Sequence, residues 1–170
     1  VSNVNAIAAP YWKKTSPLAI TVTASDAGGI VYSGLKNVTL YYYNSTNNVT
    51  FKGPWKFGST NTTPWITPKW WFTFPNGTGY YRFYSVAYDN ATNKETFTGN
   101  DTWCGYDNQL PTSTVTAIAA PYWKKTSPLA VAVTASDTGP SGLKNVTLYY
   151  YNSSNNVTFY GPWNFGVNST

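Results

Sequence analysis

The sequence predicts an all-β protein made of two tandem antiparallel β-sandwiches, the second copy truncated. Three observations carry this prediction. Short segments alternate apolar and polar residues with period two, the mark of half-buried strands. Turn signals separate those segments at regular spacing. The chain also repeats itself at an offset of about 110 residues, the size of a whole small domain.

The elements follow in order. Val4–Ala8 opens the first copy as a short strand. Leu18–Ser25 alternates apolar residues with Thr and Ala and reads as the second strand. Leu35–Tyr43 puts Val38, Leu40 and Tyr42 on one face and Asn37, Thr39 and Tyr41 on the other. Asn44–Asn47 is a turn, and Val49–Phe51 a short strand after it. Trp70–Phe74 is aromatic and β-prone, and Asn76-Gly77 is a tight-turn signal behind it. Tyr80–Tyr88 is the longest strand, with Tyr81, Phe83 and Ala87 on its inner face. Lys94–Thr98 reads as an edge strand. About seven strands in about 110 residues, with no helical periodicity, indicate an antiparallel sandwich.

The repeat is nearly an identity. VNAIAAPYWKKTSPLA at 4–19 returns as VTAIAAPYWKKTSPLA at 115–130, and SGLKNVTLYYYNSTNNVTF at 33–51 returns with one substitution at 141–159. The offset is 111 before a gap of three residues and 108 after it. This divides the chain into residues 1–110, a complete copy, and 111–170, the first half of a second. The proline-bearing stretch 107–113 marks the boundary and is too short for a loose tether. The half copy is expected to be completed by its own chain continuing or by strands from a neighbour. Val1 is not an initiator residue, so any signal peptide, propeptide or anchor is expected outside these residues.

Gly79-Tyr80-Tyr81-Arg82-Phe83 brings a tyrosine into the sixth strand, which resembles the tyrosine corner of immunoglobulin-like sandwiches. The set TASD, SGLKNVTLYYYN, GPW-x-FG and FTFPNGTGYYRFYSVAYDNATNKE is similar to the tandem Ig-like repeats of archaeal and some bacterial cell-surface proteins. The likeness spans nearly all of the first copy and the first half of the second. It departs at Asn90–Asn93, where such repeats often carry a short Gly-Asn turn. It implies Ig-like sandwiches and a cell-surface location.

Composition narrows the chemistry. Charged residues are 10% of the chain and aromatics 18%, which excludes a disordered segment. No apolar run is long enough to span a bilayer. With no His and one Cys, zinc sites and Ser-His or Cys-His nucleophiles are excluded by supply. None of the six acids sits in a motif suggesting a glycosidase pair, so an enzyme is not expected. The net charge of +5 comes from scattered lysines and one arginine, Arg82, which argues against nucleic acid.

Eleven Asn-X-Ser/Thr sequons fall at Asn37, Asn44, Asn48, Asn61, Asn76, Asn90, Asn100, Asn145, Asn152, Asn156 and Asn168. Nearly all lie in predicted turns or on the outward register of a strand. N-glycans there would supply the solubility that charge does not.

The aromatic surplus has two uses. Trp12, Trp55, Trp65, Trp70, Trp71, Tyr81 and Phe83 suit a core and its ends. Tyr41, Tyr43, Tyr80, Tyr84 and Tyr88 turn outward in this register and are candidate interface residues, for sugar rings, a neighbouring chain or the protein's own glycans. Tyr149–Tyr151 repeats Tyr41–Tyr43, which favours self-assembly. Cys104 reads as a small buried hydrophobe in preference to a disulfide partner for another copy. Calcium is the one cation left open, at strand-end Asp26, Asp89 and Asp137, with turn capping the favoured alternative. The expected role is an extracellular structural protein: a glycosylated segment of a surface polymer such as an S-layer, sheath or filament, self-associating. The alternative is a carbohydrate-binding or adhesive module.

Overall fold

A computed structural model describes residues 1–26, 33–61 and 69–169. Its elements are all strands: β1 (Ser2–Val4), β2 (Trp12–Lys13), β3 (Leu18–Ala24), β4 (Leu35–Ser45), β5 (Lys52–Asn61), β6 (Lys69–Phe72), β7 (Gly79–Asp89), β8 (Thr102–Tyr106), β9 (Thr112–Val115), β10 (Val133–Ser136), β11 (Asn145–Asn152) and β12 (Tyr160–Ser169). The chain divides into two compact units, Val1–Asn108 and Gln109–Thr170.

Among the described residues the first unit has two sheets, one of order β1-β3-β6 and one of order β2-β8-β7-β4-β5. Period-two alternation decides which residues enter the space between them. Val4, Ile20, Val22 and Phe72 come from the smaller sheet, and Val38, Leu40, Tyr42, Tyr81, Phe83, Ala87 and Cys104 from the larger. These include every inward residue expected from the strand patterns of β4 and β7. Phe72 is the hub: its ring lies 4.9 Å from Tyr42, 4.7 Å from Phe57, 5.2 Å from Phe74, 5.5 Å from Tyr81 and 5.0 Å from Phe83. Edge-to-face aromatic contacts of this kind add about 0.5–1.5 kcal/mol per pair beyond burial.

β4 pairs with β7 antiparallel over its length, with Leu40 opposite Ser85 and Tyr42 opposite Phe83. On its other side β4 pairs with β5, with register shifts at Leu40/Tyr41 and Tyr42/Asn44. Gly53 makes this irregular pairing possible. Its φ is +122°, and a Cβ there would stand 2.9 Å from the Tyr42 carbonyl oxygen. The second unit repeats the feature: β11 and β12 shift at Leu148/Tyr149 and Tyr150/Asn152, and Gly161 has φ +137°.

The structure corrects several elements. The opening strand is Ser2–Val4 and not Val4–Ala8, because pairing with β3 runs from Ser2 opposite Ala24 to Val4 opposite Val22. Val49–Phe51 is not a strand. The Asn47 Oδ1 accepts from the Val49 amide at 3.0 Å and the Thr50 amide at 2.9 Å, and that side-chain capture holds the segment in a turn. The strand after it is β5, which the Gly53, Pro54 and Gly58 interruptions had hidden. Lys94–Thr98 makes a single bridge, Lys94 to Tyr88, in place of an edge strand. The strand that follows β7 is instead β8, which pairs with it from Phe83 opposite Thr102 to Gly79 opposite Tyr106.

The second unit holds β9 paired with β10 and β11 paired with β12. Within it the residues equivalent to the first unit's core are far more accessible. Tyr42 is 6% exposed and its counterpart Tyr150 is 47% exposed.

Candidate glycan-bearing and assembly surfaces

The sequons differ in how far the fold presents them. Asn48, Asn76, Asn90 and Asn100 are exposed in the first unit, as are Asn145, Asn152, Asn156 and Asn168 in the second. Asn48 and Asn156 occupy equivalent turns of the two units, with φ of 58° and 55°. Asn90 has its Nδ2 committed to the Ser33 carbonyl at 2.7 Å. Asn44 is half-buried, and its Oδ1 accepts from the Trp55 indole at 3.3 Å, as Asn152 accepts from Trp163 at 3.3 Å. Asn37 is half-buried with its Oδ1 buried and unpaired, so the outward register alone did not make it an open site. The side chain of Asn61 and the whole of Trp65 lie outside the described residues.

The tyrosine stripe does face away from the core, but it is not an open platform. Tyr84 is only 6% exposed. The Phe97 ring lies 4.4 Å from it, Tyr41 stacks on it at 5.0 Å and 9°, and Tyr43 sits at 5.9 Å. The segment around Phe97 lies over this outer face and covers what strand periodicity leaves bare. The same face buries Thr39, whose Oγ1 shares a 2.8 Å hydrogen bond with Ser59 Oγ, and Val86. Burial pushes the Tyr84 hydroxyl up to about 12, with Tyr43 and Tyr41 adding to the shift. Tyr80 packs edge-on against Trp12 at 5.1 Å, and Tyr88 is half-buried at the Lys94 bridge. Trp55 and Trp71, placed with the core aromatics on sequence grounds, are 47% and 58% exposed: β6 turns Trp71 to the outer register, whereas Trp55 lies opposite the inward Tyr42 but on the edge strand β5.

Two acids that sequence reasoning gave no role hold the sandwich together. Asp101 Oδ2 accepts from the Val4 amide at 2.7 Å, the Ser85 amide at 3.1 Å and the Ser85 hydroxyl at 3.4 Å. Glu95 accepts from the Ser2 amide at 2.7 Å, the Ser2 hydroxyl at 2.5 Å and the Ala87 amide at 2.9 Å. Each carboxylate thus joins β1 of one sheet to β7 of the other. Hydrogen bonds to charged groups are worth roughly 1.5–3 kcal/mol each. Burial raises the Asp101 pKa above its ordinary value and the Glu95 charge adds to it, while the Val4 and Ser85 donors oppose.

The strand-end acids act as turn caps. Asp26 Oδ2 accepts from the Gly34 amide at 2.9 Å, Asp89 accepts from the Asn93 amide and side chain at 2.7 Å each, and Asp137 Oδ1 accepts from the Gly139 amide at 2.9 Å. The Asn93 side chain holds Asp89 below the usual carboxylate range. Asp26 and Asp89 line one open cleft of about 480 Å³ together with Glu95 and Asp101. Among the described residues no group of three His, Cys, Asp or Glu is placed to hold a metal ion. Cys104 is fully buried, and burial pushes its thiol up to about 12.

The second unit presents a different surface. A groove of about 430 Å³ runs between the β10 side and the β11–β12 pair, lined by Val131, Val133, Val146, Leu148, Phe165 and Val167. In the described residues β11 has one strand neighbour, β12, whereas its counterpart β4 has two, β5 and β7. Tyr149 and Tyr151 are 57% and 58% exposed.

No family model matches this chain, and no curated protein or solved structure shows significant similarity to it.

Proposed function

We propose that this chain is an extracellular structural protein: a glycosylated segment of a cell-surface polymer, built from Ig-like β-sandwich repeats that associate with one another. The observation that carries the reading is the tandem repeat: residues 115–130 and 141–159 return 4–19 and 33–51 almost residue for residue, so one β design is used in series with the same tyrosine run and the same sequons. The Ig-like assignment is supported by the central β4–β7 pairing and by Tyr81, whose hydroxyl donates to the Gly77 carbonyl at 2.6 Å, four residues upstream. Exposed sequons on both units support a glycan coat in place of charge. The role is mechanical and not catalytic, with self-association and covalent glycans as the partners.

The test is expression of the 170-residue chain through a glycosylating secretory pathway. Intact mass should exceed the bare 18.8 kDa by several glycans, and light scattering should detect ordered association. A monodisperse monomer at the bare mass refutes the proposal.

One observation favours the second reading, a carbohydrate-binding module. Tyr11 and Trp103 stack at 5.0 Å and 20° while remaining 49% and 45% exposed. A flat aromatic pair of this kind can stack on a sugar ring. Glycan-array binding that disappears in Trp103→Ala would favour the module over the polymer.

A further inference from the structure

We propose that the outer face of the larger sheet carries a subsite for an acidic sugar, a pyranose ring bearing a carboxylate, at Arg82 and Trp103. The inference deepens the carbohydrate-binding reading of the Tyr11–Trp103 pair and rests on it. β7 alternates the inward Tyr81 and Phe83 with Tyr80 and Arg82, which take the outer register. Arg82 stands directly opposite Trp103 on β8, and Tyr80 opposite Gly105. Residues paired in this way share one face of the sheet. Gly105 has no side chain, and Trp12 takes that space: a Cβ there would run into the indole ring. Trp12 then packs edge-on against Tyr80 at 5.1 Å. The Gly105 amide donates to the Tyr11 carbonyl at 3.0 Å, which ties Tyr11 to β8 where its ring stacks on Trp103.

These rings surround the chain's one arginine. The Arg82 Cζ lies 3.9 Å from the centroid of the Phe51 ring, a cation–π contact that fixes the guanidinium plane. Among the described residues the guanidinium makes no hydrogen bond and no ion pair, so its N–H donors are left for a ligand. A cavity of about 220 Å³ opens beside it, lined by Asn48, Phe51, Tyr80, Tyr81, Arg82 and Trp103. None of these six residues is acidic, so the lining itself does not answer the positive charge. The cavity is smaller than the roughly 300–1,000 Å³ that drug-sized ligands occupy, which suits a single sugar ring. The planar fork of an arginine matches a carboxylate with two parallel hydrogen bonds. The half-exposed Trp103 offers an apolar face to the C–H side of the ring. The Asn48 side-chain amide can serve a hydroxyl. A carboxylate alone would use only the guanidinium and a neutral sugar only the rings; an acidic sugar uses both. Asn48 also heads a sequon, so that sugar can come from its own glycan or from a free saccharide, with the same chemistry at the subsite.

The experiment titrates the full 170-residue chain, made in a host without N-glycosylation, with trigalacturonate and with its neutral methyl ester, by calorimetry. The acid should bind about tenfold or more tightly than the ester, and Arg82→Gln or Trp103→Ala should weaken it by about tenfold or more at an unchanged melting temperature. Arg82→Lys should recover only part of the loss, since it keeps the charge without the fork. Should a variant alter the melt, the acid against ester comparison on the parent chain decides. Equal binding of acid and ester overturns the acidic-sugar assignment and leaves the carbohydrate-binding reading standing. Binding of neither overturns both. A polyglutamate peptide that displaces the saccharide at equal concentration also overturns the assignment, because it gives the guanidinium to an acidic protein. A second arm repeats the titration on chain from a glycosylating host, with and without Thr50→Ala, which removes the Asn48 sequon and keeps the Asn48 side chain. Acid binding that appears only in Thr50→Ala supports the subsite with the Asn48 glycan as its occupant; equal binding in both supports it with free saccharide.

Discussion

Phe72→Ala against Trp71→Ala is the sharpest test of the sandwich. The two residues are adjacent on β6 and differ in register alone. Phe72 is fully buried and touches five aromatic rings, whereas Trp71 is 58% exposed with Lys69 Nζ 4.4 Å above its ring. Removing a buried Phe side chain costs about 3–5 kcal/mol, the lost transfer energy plus the cavity left behind. Total domain stability is roughly 5–15 kcal/mol, so the variant loses a large share of it. For a unit of this size each kcal/mol moves the melting temperature by about 4–8 °C, giving a fall on the order of 15–30 °C. Trp71→Ala removes an exposed cation–π contact worth about 0.5–1 kcal/mol. Its melt should shift by a few degrees at most. The assay is thermal unfolding of the full chain followed by near-ultraviolet circular dichroism, with calorimetry to separate transitions. If Trp71→Ala costs more than Phe72→Ala, β6 is displaced by one residue and the inner face is wrongly drawn.

Three further outcomes follow from the contacts. Asp101→Asn keeps an acceptor oxygen for Val4 and Ser85 and removes a buried charge, so its stability at neutral pH should equal or exceed that of the parent, while Asp101→Ala should lose roughly 1–3 kcal/mol by stranding those donors. The native pKa of Asp101 is raised, so the native state holds that proton more tightly than the unfolded chain, and stability should fall as pH rises from the unfolded value toward the native one; chemical denaturation across that window should lose this falling limb in Asp101→Asn. Tyr84→Ala should destabilise by about 1–3 kcal/mol through its lost contacts with Tyr41 and Phe97, and a melt unchanged within error would mean that the 94–98 segment does not cover that face. Cys104 should resist alkylation at pH 8 in the folded chain and react once denaturant unfolds it; rapid labelling of the native protein would contradict its burial.

The central strands were legible because their chemistry is local. β3, β4 and β7 alternate over seven to eleven residues, and that period alone sets which side of the sheet each residue takes. β5 was not legible, because Gly53, Pro54 and Gly58 break its alternation and the bulge they serve exists only opposite β4. β8 was hidden for a related reason. Thr102–Tyr106 is short, lies next to the domain boundary, and is defined by its partner β7. The outward tyrosines show a different limit. Periodicity gave Tyr84 its direction, but whether that direction meets water depends on Phe97, thirteen residues away along an irregular path. Glu95 and Asp101 carry no local motif at all. Their roles arise only once β1 and β7 are brought side by side by the two-sheet packing.

Imaging the protein purified from a glycosylating secretory pathway, at a resolution that separates strands, tests the proposed polymer most directly. The expected result is a periodic assembly of two-layer β units with glycan density at exposed sequons such as Asn48 and Asn156. Isolated, unglycosylated molecules would contradict the proposal.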